Sequence, residues 1–279
     1  MNRRTFLKTF TTVLLTQGMP VSNIIRASDI SSASRNSPGA PSPVNPLDRH
    51  QHPSNASNHI QLPEDAWPEL RTTFKRFSRI QATVGYGNFC LIGFDDSLKI
   101  ARSYANIGAF TDREMAFLET LYYTDARGYG FLGKKTFHNI SDIVPASKTH
   151  KIPGTGNYLF DGRPRHIYKQ ITHDIGDQVV LTAGIRGMAK QFYLFLGKVK
   201  KTSGNLSLAS RSIAPPGYSY HGIGDFDVGK TGFGVANFTI RFSQTSVYRK
   251  MTQLDYILFR YPQNNHLGVQ FEPWHIQIV

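Results

Sequence analysis

Apolar positions recur with helical spacing in the first half of the chain and in short glycine-bounded runs later. Glu64-Asp65-Ala66-Trp67 opens a stretch whose pattern predicts a helix to about Ile80. Thr111-Asp112-Arg113-Glu114 has the form of a capping box. The Thr111 hydroxyl can accept from the third helical amide while Glu114 reaches back. Behind it Met115, Leu118, Leu121 and Tyr122 share one face, which predicts a helix to about residue 126. GYGFLGKKTF and KIPGTGNYLFDG read as turns and loops, and RHIYKQITHD as loop or edge strand, leaving His166 and His173 outside any site. DQVVLTAG, residues 177–184, has the β-branched density of a buried strand and delivers Arg186 just past its end. In MAKQFYLFLGKV the helical period returns, with Met188, Phe192, Phe195 and Val199 on one side. From residue 203 onward the short runs NFTIRFS, LDYILFRY and FEPWHIQIV predict a sheet-rich end. Helices first and strands last argue for an α+β fold, and the chain has no internal repeat.

The opening, MNRRTFLKTFTTVLLTQGMPVSNIIRAS, changes the picture at the amino end. Adjacent Arg3 and Arg4, then Phe6-Leu7-Lys8 and a modest apolar run, resemble a twin-arginine export signal over residues 1–27. A Sec leader shares the basic head and apolar middle, but the threonines here make the run less apolar than Sec segments. Ala27 is a cleavage point with Ile25 as a poor partner, so the site stays open. The expectation is a periplasmic or exported protein with no transmembrane segment after signal removal. Residues 28–62, rich in Ser, Asn, Pro and His, bury too little to offset ordering entropy and read as a flexible linker. Its His50, His52 and His59 read as solvated. A helical region follows at 63–165, and the late strands fall in a second domain, 166–279.

Composition narrows the partners. A formal charge of +13 over 279 residues favours anionic surroundings such as nucleic acid, acidic polymers or a membrane or wall surface. No nucleic-acid-binding module is recognisable, which argues against that partner. The single cysteine, Cys90, excludes an intrachain disulfide and reads as inert packing within VGYGNFCLIGF.

Two late stretches carry the candidate chemistry. PGYSYHGIGDFDVG places His221 among glycines and aromatics with Asp225 and Asp227 close behind, and FEPWHIQIV places Glu272 three residues before His275. A hydrolytic zinc site needs three protein ligands, an open position, and a base that reaches the water without ligating the metal. His221, one of the two aspartates and His275 fit the ligand set, with Glu272 as base.

GYSYHGIGDFDVG followed by EPWH resembles the VanY-type zinc D-alanyl-D-alanine carboxypeptidases, within the wider group that includes lysostaphin-like enzymes and the hedgehog zinc domain. The group's pattern is roughly SxHxxGxAxD and then ExxH. Upstream, GIRGMAKQ is similar to the family's GYRSxxxQ turn. Over about residues 180–279 the resemblance implies a hedgehog-like fold with helices packed on a small antiparallel sheet. It implies Zn2+ held by His221, Asp227 and His275, Glu272 and Arg186 in catalysis, and Ser219 and Gln191 binding substrate. The implied activity is attack of zinc-activated water on peptidoglycan stem peptides, as a D-alanyl-D-alanine carboxypeptidase. A wall endopeptidase and a non-catalytic zinc-containing wall-binding protein are the alternatives. One departure stands out: Asp227 follows His221 by six positions where the family has seven. Either the loop after Gly224 absorbs the missing residue, or Asp225 is the ligand; the reading favours Asp227.

Overall fold

The first helical pattern forms α1, Trp67–Val84, in the computed structural model, which describes residues 59–279. Residues 1–27 and the linker up to residue 58 lie outside the described residues. Pro68 sits in the first turn of α1, where a missing N–H costs nothing, and Leu70, Thr73, Phe77, Ile80 and Gln81 line its buried face. Next come α2, Phe94–Ser103, and α3, Asp112–Tyr123. Both bonds of the Thr111–Glu114 capping box are present. The end of the linker is docked rather than free. Leu62 is buried with its amide on the Gly204 carbonyl, and His59 bonds Asn205 instead of standing in solvent.

The KIPGTGNYLFDG segment, expected as loop, contributes to a hairpin of β1, Thr149–Lys151, and β2, Tyr158–Phe160. RHIYKQITHD, expected as loop or edge strand, lies in a helix, α4, Arg163–Ile175. Pro164 is compatible with its first turn, and Ile167, Tyr168, Ile171 and Ile175 repeat at helical spacing on one buried side. The predicted strand is β3, Val179–Ala183, and the predicted helix after it is α5, Met188–Lys201, followed by the short α6, Leu206–Ser210.

β4, Phe226–Lys230, leads into NFTIRFS. That segment forms 3-10 turns and not a strand, because Asn237 clasps both the amide and the carbonyl of Lys230 and ends the pairing there. α7, Ser246–Met251, β5, Phe259–Tyr261, and β6, Glu272–Ile276, complete the chain. The four-stranded sheet runs β3-β4-β6-β5, each neighbouring pair antiparallel. The fold is therefore α+β.

Two apolar clusters fill the interior. One joins α1, α2, α3 and α5 through Phe77, Phe94, Leu118, Phe192 and Phe195. The other seals α4 and α7 against the sheet through Ile171, Phe226, Val228, Val247 and Ile276. The backbone between β3 and α5 ties them together: Ile185 bonds Tyr158, and Gly187 and Ala189 bond Cys90 and Ile92. No helix among the described residues is long and apolar enough to cross a membrane.

Candidate metal centre

Sheet register fixes the first two side chains. Asp227 on β4 stands opposite His275 on β6, and directly opposed residues of an antiparallel pair project from the same face. Glu272 needs a different device, since positions i and i+3 of a regular strand face opposite ways. Phe259 pairs with Ile276 and Tyr261 with Glu272, so four steps along β6 oppose two along β5. Pro273, with no N–H for the ladder, lies inside that irregularity. The distortion brings Glu272 Oε2 to 3.4 Å from His275 Nδ1.

His221 arrives on a 3-10 turn, Tyr220–Gly222, that packs against the end of β3. Its Nδ1 lies 2.7 Å from the Gly184 carbonyl. Only glycine fits at 184, because a Cβ there would stand 2.0 Å from the Tyr158 carbonyl oxygen. The short path from His221 to Asp227 closes over one acceptor: the Tyr220 carbonyl takes the amides of Ile223, Gly224 and Asp225. Gly224, at φ +139°, occupies backbone space that other residues rarely enter. This tight loop accommodates the six-residue spacing.

The hydrogen bonds assign both imidazole tautomers. A carbonyl only accepts, so His221 donates from Nδ1 to Gly184 and its Nε2 carries a bare lone pair. His275 donates from Nε2 to Asp225 Oδ2 at 3.1 Å, leaving Nδ1 bare. His221 Nε2 and His275 Nδ1 each lie 3.3 Å from Asp227 Oδ1. These contacts are close without being hydrogen bonds: His221 Nε2 and Asp227 Oδ1 are buried and have no hydrogen-bond partner. Burying such groups unpaired is costly, so the cluster requires a positive charge among them.

The electrostatics say the same. Burial, helped by the Arg186 charge, pushes the His221 pKa down to about 4, so its Nε2 stays unprotonated. Burial opposes charge on Asp227, yet the cationic groups facing it, the Arg186 guanidinium at 2.7 Å among them, hold its carboxyl well below the usual range. Burial raises Glu272. Burial also works against charge on His275, but the hydrogen bond to Asp225, the nearby Glu272 carboxylate and the Asp227 charge outweigh it and lift the pKa to about 9. A proton on His275 Nδ1 would still leave His221 Nε2 without a partner.

A zinc ion answers them together. The candidate ligand atoms of His221, Asp227 and His275 all lie within 4.8 Å of one another. The two 3.3 Å separations equal the edge of a tetrahedron whose metal–ligand bonds are about 2.0–2.1 Å. Two imidazole nitrogens and a carboxylate oxygen are a familiar catalytic zinc donor set, and the residues present fit the ion.

The other expected residues fall as follows. Arg186, 17% exposed, donates to Asp227 Oδ2 at 2.7 Å and holds the carboxylate with Oδ1 toward the histidines. Asp225 is not among the converging atoms; its carboxylate receives Arg260, Ile278 N–H and His275. Gln191, expected to contact substrate, is held in the protein's own hydrogen bonds. It is buried, its Nε2 donating to the Arg186 carbonyl and its Oε1 accepting from the Gly217 amide, so it clamps two loops. Ser219 is buried as well, just before the His221 turn, its carbonyl accepting from Thr136 Oγ1 and the Gly222 amide. Arg260 was missed by sequence reasoning; lying in a run that read as an ordinary strand, 35 residues from Asp225, it gave no local signal.

The family model described as VanY: D-alanyl-D-alanine carboxypeptidase matches residues 167–279. No curated protein matches the chain. Among solved structures, a vancomycin-resistance D,D-pentapeptidase VanY variant in complex with Zn(II) is 23% identical, covering 48% of this chain and 81% of its own, with a TM-score of 0.36. The LD-carboxypeptidase LdcB is 20% identical over 52% of this chain and 65% of its own, at a TM-score of 0.38. The D,D-dipeptidase VanXYg, bound to a D-Ala-D-Ala phosphinate analogue, is 21% identical over 53% and 61%, at 0.41. The resemblance carried by the motifs around Arg186, His221 and His275 thus stands over residues 167–279, which match the VanY D-alanyl-D-alanine carboxypeptidase family.

Proposed function

We propose that this chain is an exported zinc peptidase that removes the terminal D-alanine of peptidoglycan stem peptides. The observation that carries the proposal is the convergence of buried acceptors, His221 Nε2, Asp227 Oδ1 and His275 Nδ1, with Glu272 Oε2 beside them. The ligands are those three atoms, and Arg186 and Asp225 orient two of them. When bound, zinc supplies Lewis acidity that brings the pKa of a water towards about 7 and polarises a carbonyl.

The chain's own residues do the rest. Glu272, buried and with a raised pKa, takes the proton of the attacking water and returns it to the leaving amine. Arg186 spends one nitrogen on Asp227, and its remaining N–H groups serve the developing oxyanion. Twin-arginine export is part of the proposal, supported by Arg3 and Arg4 ahead of an apolar run.

One observation favours an endopeptidase as second reading. Arg260 is committed to Asp225, and Arg186 divides its N–H groups between Asp227 and the oxyanion, so neither is left to cap a substrate's free carboxylate. Incubating the purified protein with a pentapeptide ending in D-Ala-D-Ala, with and without chelator, separates these outcomes. Chelator-sensitive release of free D-alanine is expected. Cross-bridge cleavage in sacculi without D-alanine release points to the endopeptidase, and no cleavage of any muropeptide defeats the peptidase reading.

A further inference from the structure

Asp225 occupies a position that the family pattern gives to a small residue. With one residue fewer after His221, it stands two before Asp227, where SxHxxGxAxD has alanine. The residue is 1% exposed, and a carboxylate buried to that degree is strongly destabilising unless every oxygen is satisfied. Here the partners are unusually complete. Arg260 donates from Nε to Oδ2 at 2.7 Å and from its terminal nitrogen to Oδ1 at 3.1 Å, and the Ile278 amide donates to Oδ1 at 2.8 Å. The remaining donor is His275 Nε2–H at 3.1 Å.

The two imidazoles are thus oriented by different groups. A neutral backbone carbonyl, Gly184, turns His221 to present Nε2, whereas a full carboxylate turns His275 to present Nδ1. Carboxylate-backed imidazoles are more basic ligands than carbonyl-backed ones. The Arg260 guanidinium also lies 4.0 Å over the ring of Tyr220, the residue before His221, and donates to the Val279 carbonyl. One cation therefore touches the segments that carry both imidazoles.

Resting on the zinc reading above, we propose that Asp225, clamped by Arg260, is a positioning residue that fixes His275 in the tautomer whose Nδ1 faces the metal. It touches neither the metal nor the reacting atoms; it acts through His275. A purely structural role, anchoring residues 278–279 to the sheet, is the competing account of the same bonds.

Zinc affinity, read by chelator competition on the purified full chain, separates the two accounts when paired with the melting temperature of the metal-free protein. Asp225→Asn keeps the side-chain volume and is expected to weaken zinc binding about ten- to hundredfold per folded molecule and to shift the visible bands of the Co2+ form. An unchanged affinity, or one that falls only in proportion to the unfolded fraction, overturns the proposal. Should Asp225→Asn fail to fold, Arg260→Met is the variant to read, with a several-fold weaker affinity and shifted Co2+ bands expected. Wild-type affinity and bands in that variant overturn it too. A wild-type chain that binds no zinc defeats the peptidase reading itself, whereas a zinc-binding wild type with indifferent variants defeats only the role of Asp225.

Discussion

Around Phe192 the neighbours are rings: Phe77 stacks at 5.9 Å between centroids and Phe94 tilts against it at 5.7 Å. Around Asp227 the neighbours are two imidazoles and a guanidinium. Both side chains are almost wholly buried, yet one environment is satisfied by its own shape and the other keeps an unpaired nitrogen and oxygen. The helical cluster stabilises the chain without any ligand. The sheet face gathers acceptors that its own residues leave unpaired, an arrangement that costs stability and that a bound dication would offset.

Metal removal should expose that contrast most strongly. A chelator is expected to extinguish peptide cleavage and to lower the melting temperature, because zinc at a thousand times its Kd adds about 4 kcal/mol to the folded state. Readdition of zinc should restore both. A melting temperature indifferent to chelator and to added zinc would break the comparison, since the centre would then be as self-sufficient as the helical core.

Phe192→Ala probes the other region. Emptying its place between Phe77 and Phe94 is expected to cost about 3–5 kcal/mol in denaturant unfolding. Zinc affinity per folded molecule should be unchanged, because Phe192 packs in the helical cluster, whereas Phe226 and Ile276, which flank Asp227 and His275, pack in the other. A parallel fall in affinity would show that the ring cluster also sets the geometry of the sheet face.

The two regions also differed in how far they could be read from the chain. Helical periodicity revealed α1, α3 and α5, and the Thr111–Glu114 spacing marked a helix start, since both signals are local. β1 and β2 are three residues each, too short for alternation to show, so KIPGTGNYLFDG, which holds β2 and the last residue of β1, reads as loop. α4 does not read as a helix although Ile167, Ile171 and Ile175 are each four apart, because Ile, Tyr, Thr, His and Asp, which make up most of that stretch, are weak helix formers. At the centre, motif spacing indicated which residues converge, but not how. The bulge that turns Glu272 towards His275 depends on pairing with β5, and the Arg260–Asp225 clamp joins positions 35 residues apart. Gln191 bonds the Arg186 carbonyl and the Gly217 amide, partners 5 and 26 residues away that its motif does not reveal.

Glu272→Ala sharpens the comparison within the sheet face itself. Glu272 Oε2 is near His275 Nδ1 but is not one of the three converging ligand atoms. Its loss should leave zinc bound and reduce turnover at least about a hundredfold, measured as D-alanine release at saturating substrate. Loss of zinc along with turnover would make Glu272 a ligand and leave the proton transfer without an assigned base.

The smallest effect is expected at the start of α3. Thr111 Oγ1 accepts from the Glu114 amide at 3.2 Å, and the Thr111 amide donates to Glu114 Oε2 at 2.8 Å. Thr111→Ala removes the first bond and keeps the second, so the cost should be about 1 kcal/mol in denaturant unfolding. Glu114 remains paired with Arg76, which also holds the Ile107 carbonyl, so the joint between α3 and α1 survives the change. Turnover and zinc affinity per folded molecule should match the wild type, because the cap stabilises a helix end and touches nothing near Asp227. A change in either would mean that strain at α3 travels through the Cys90–Gly187 and Ile92–Ala189 bonds into the turn carrying Arg186, and the stability of the helices could no longer be treated apart from the chemistry of the sheet.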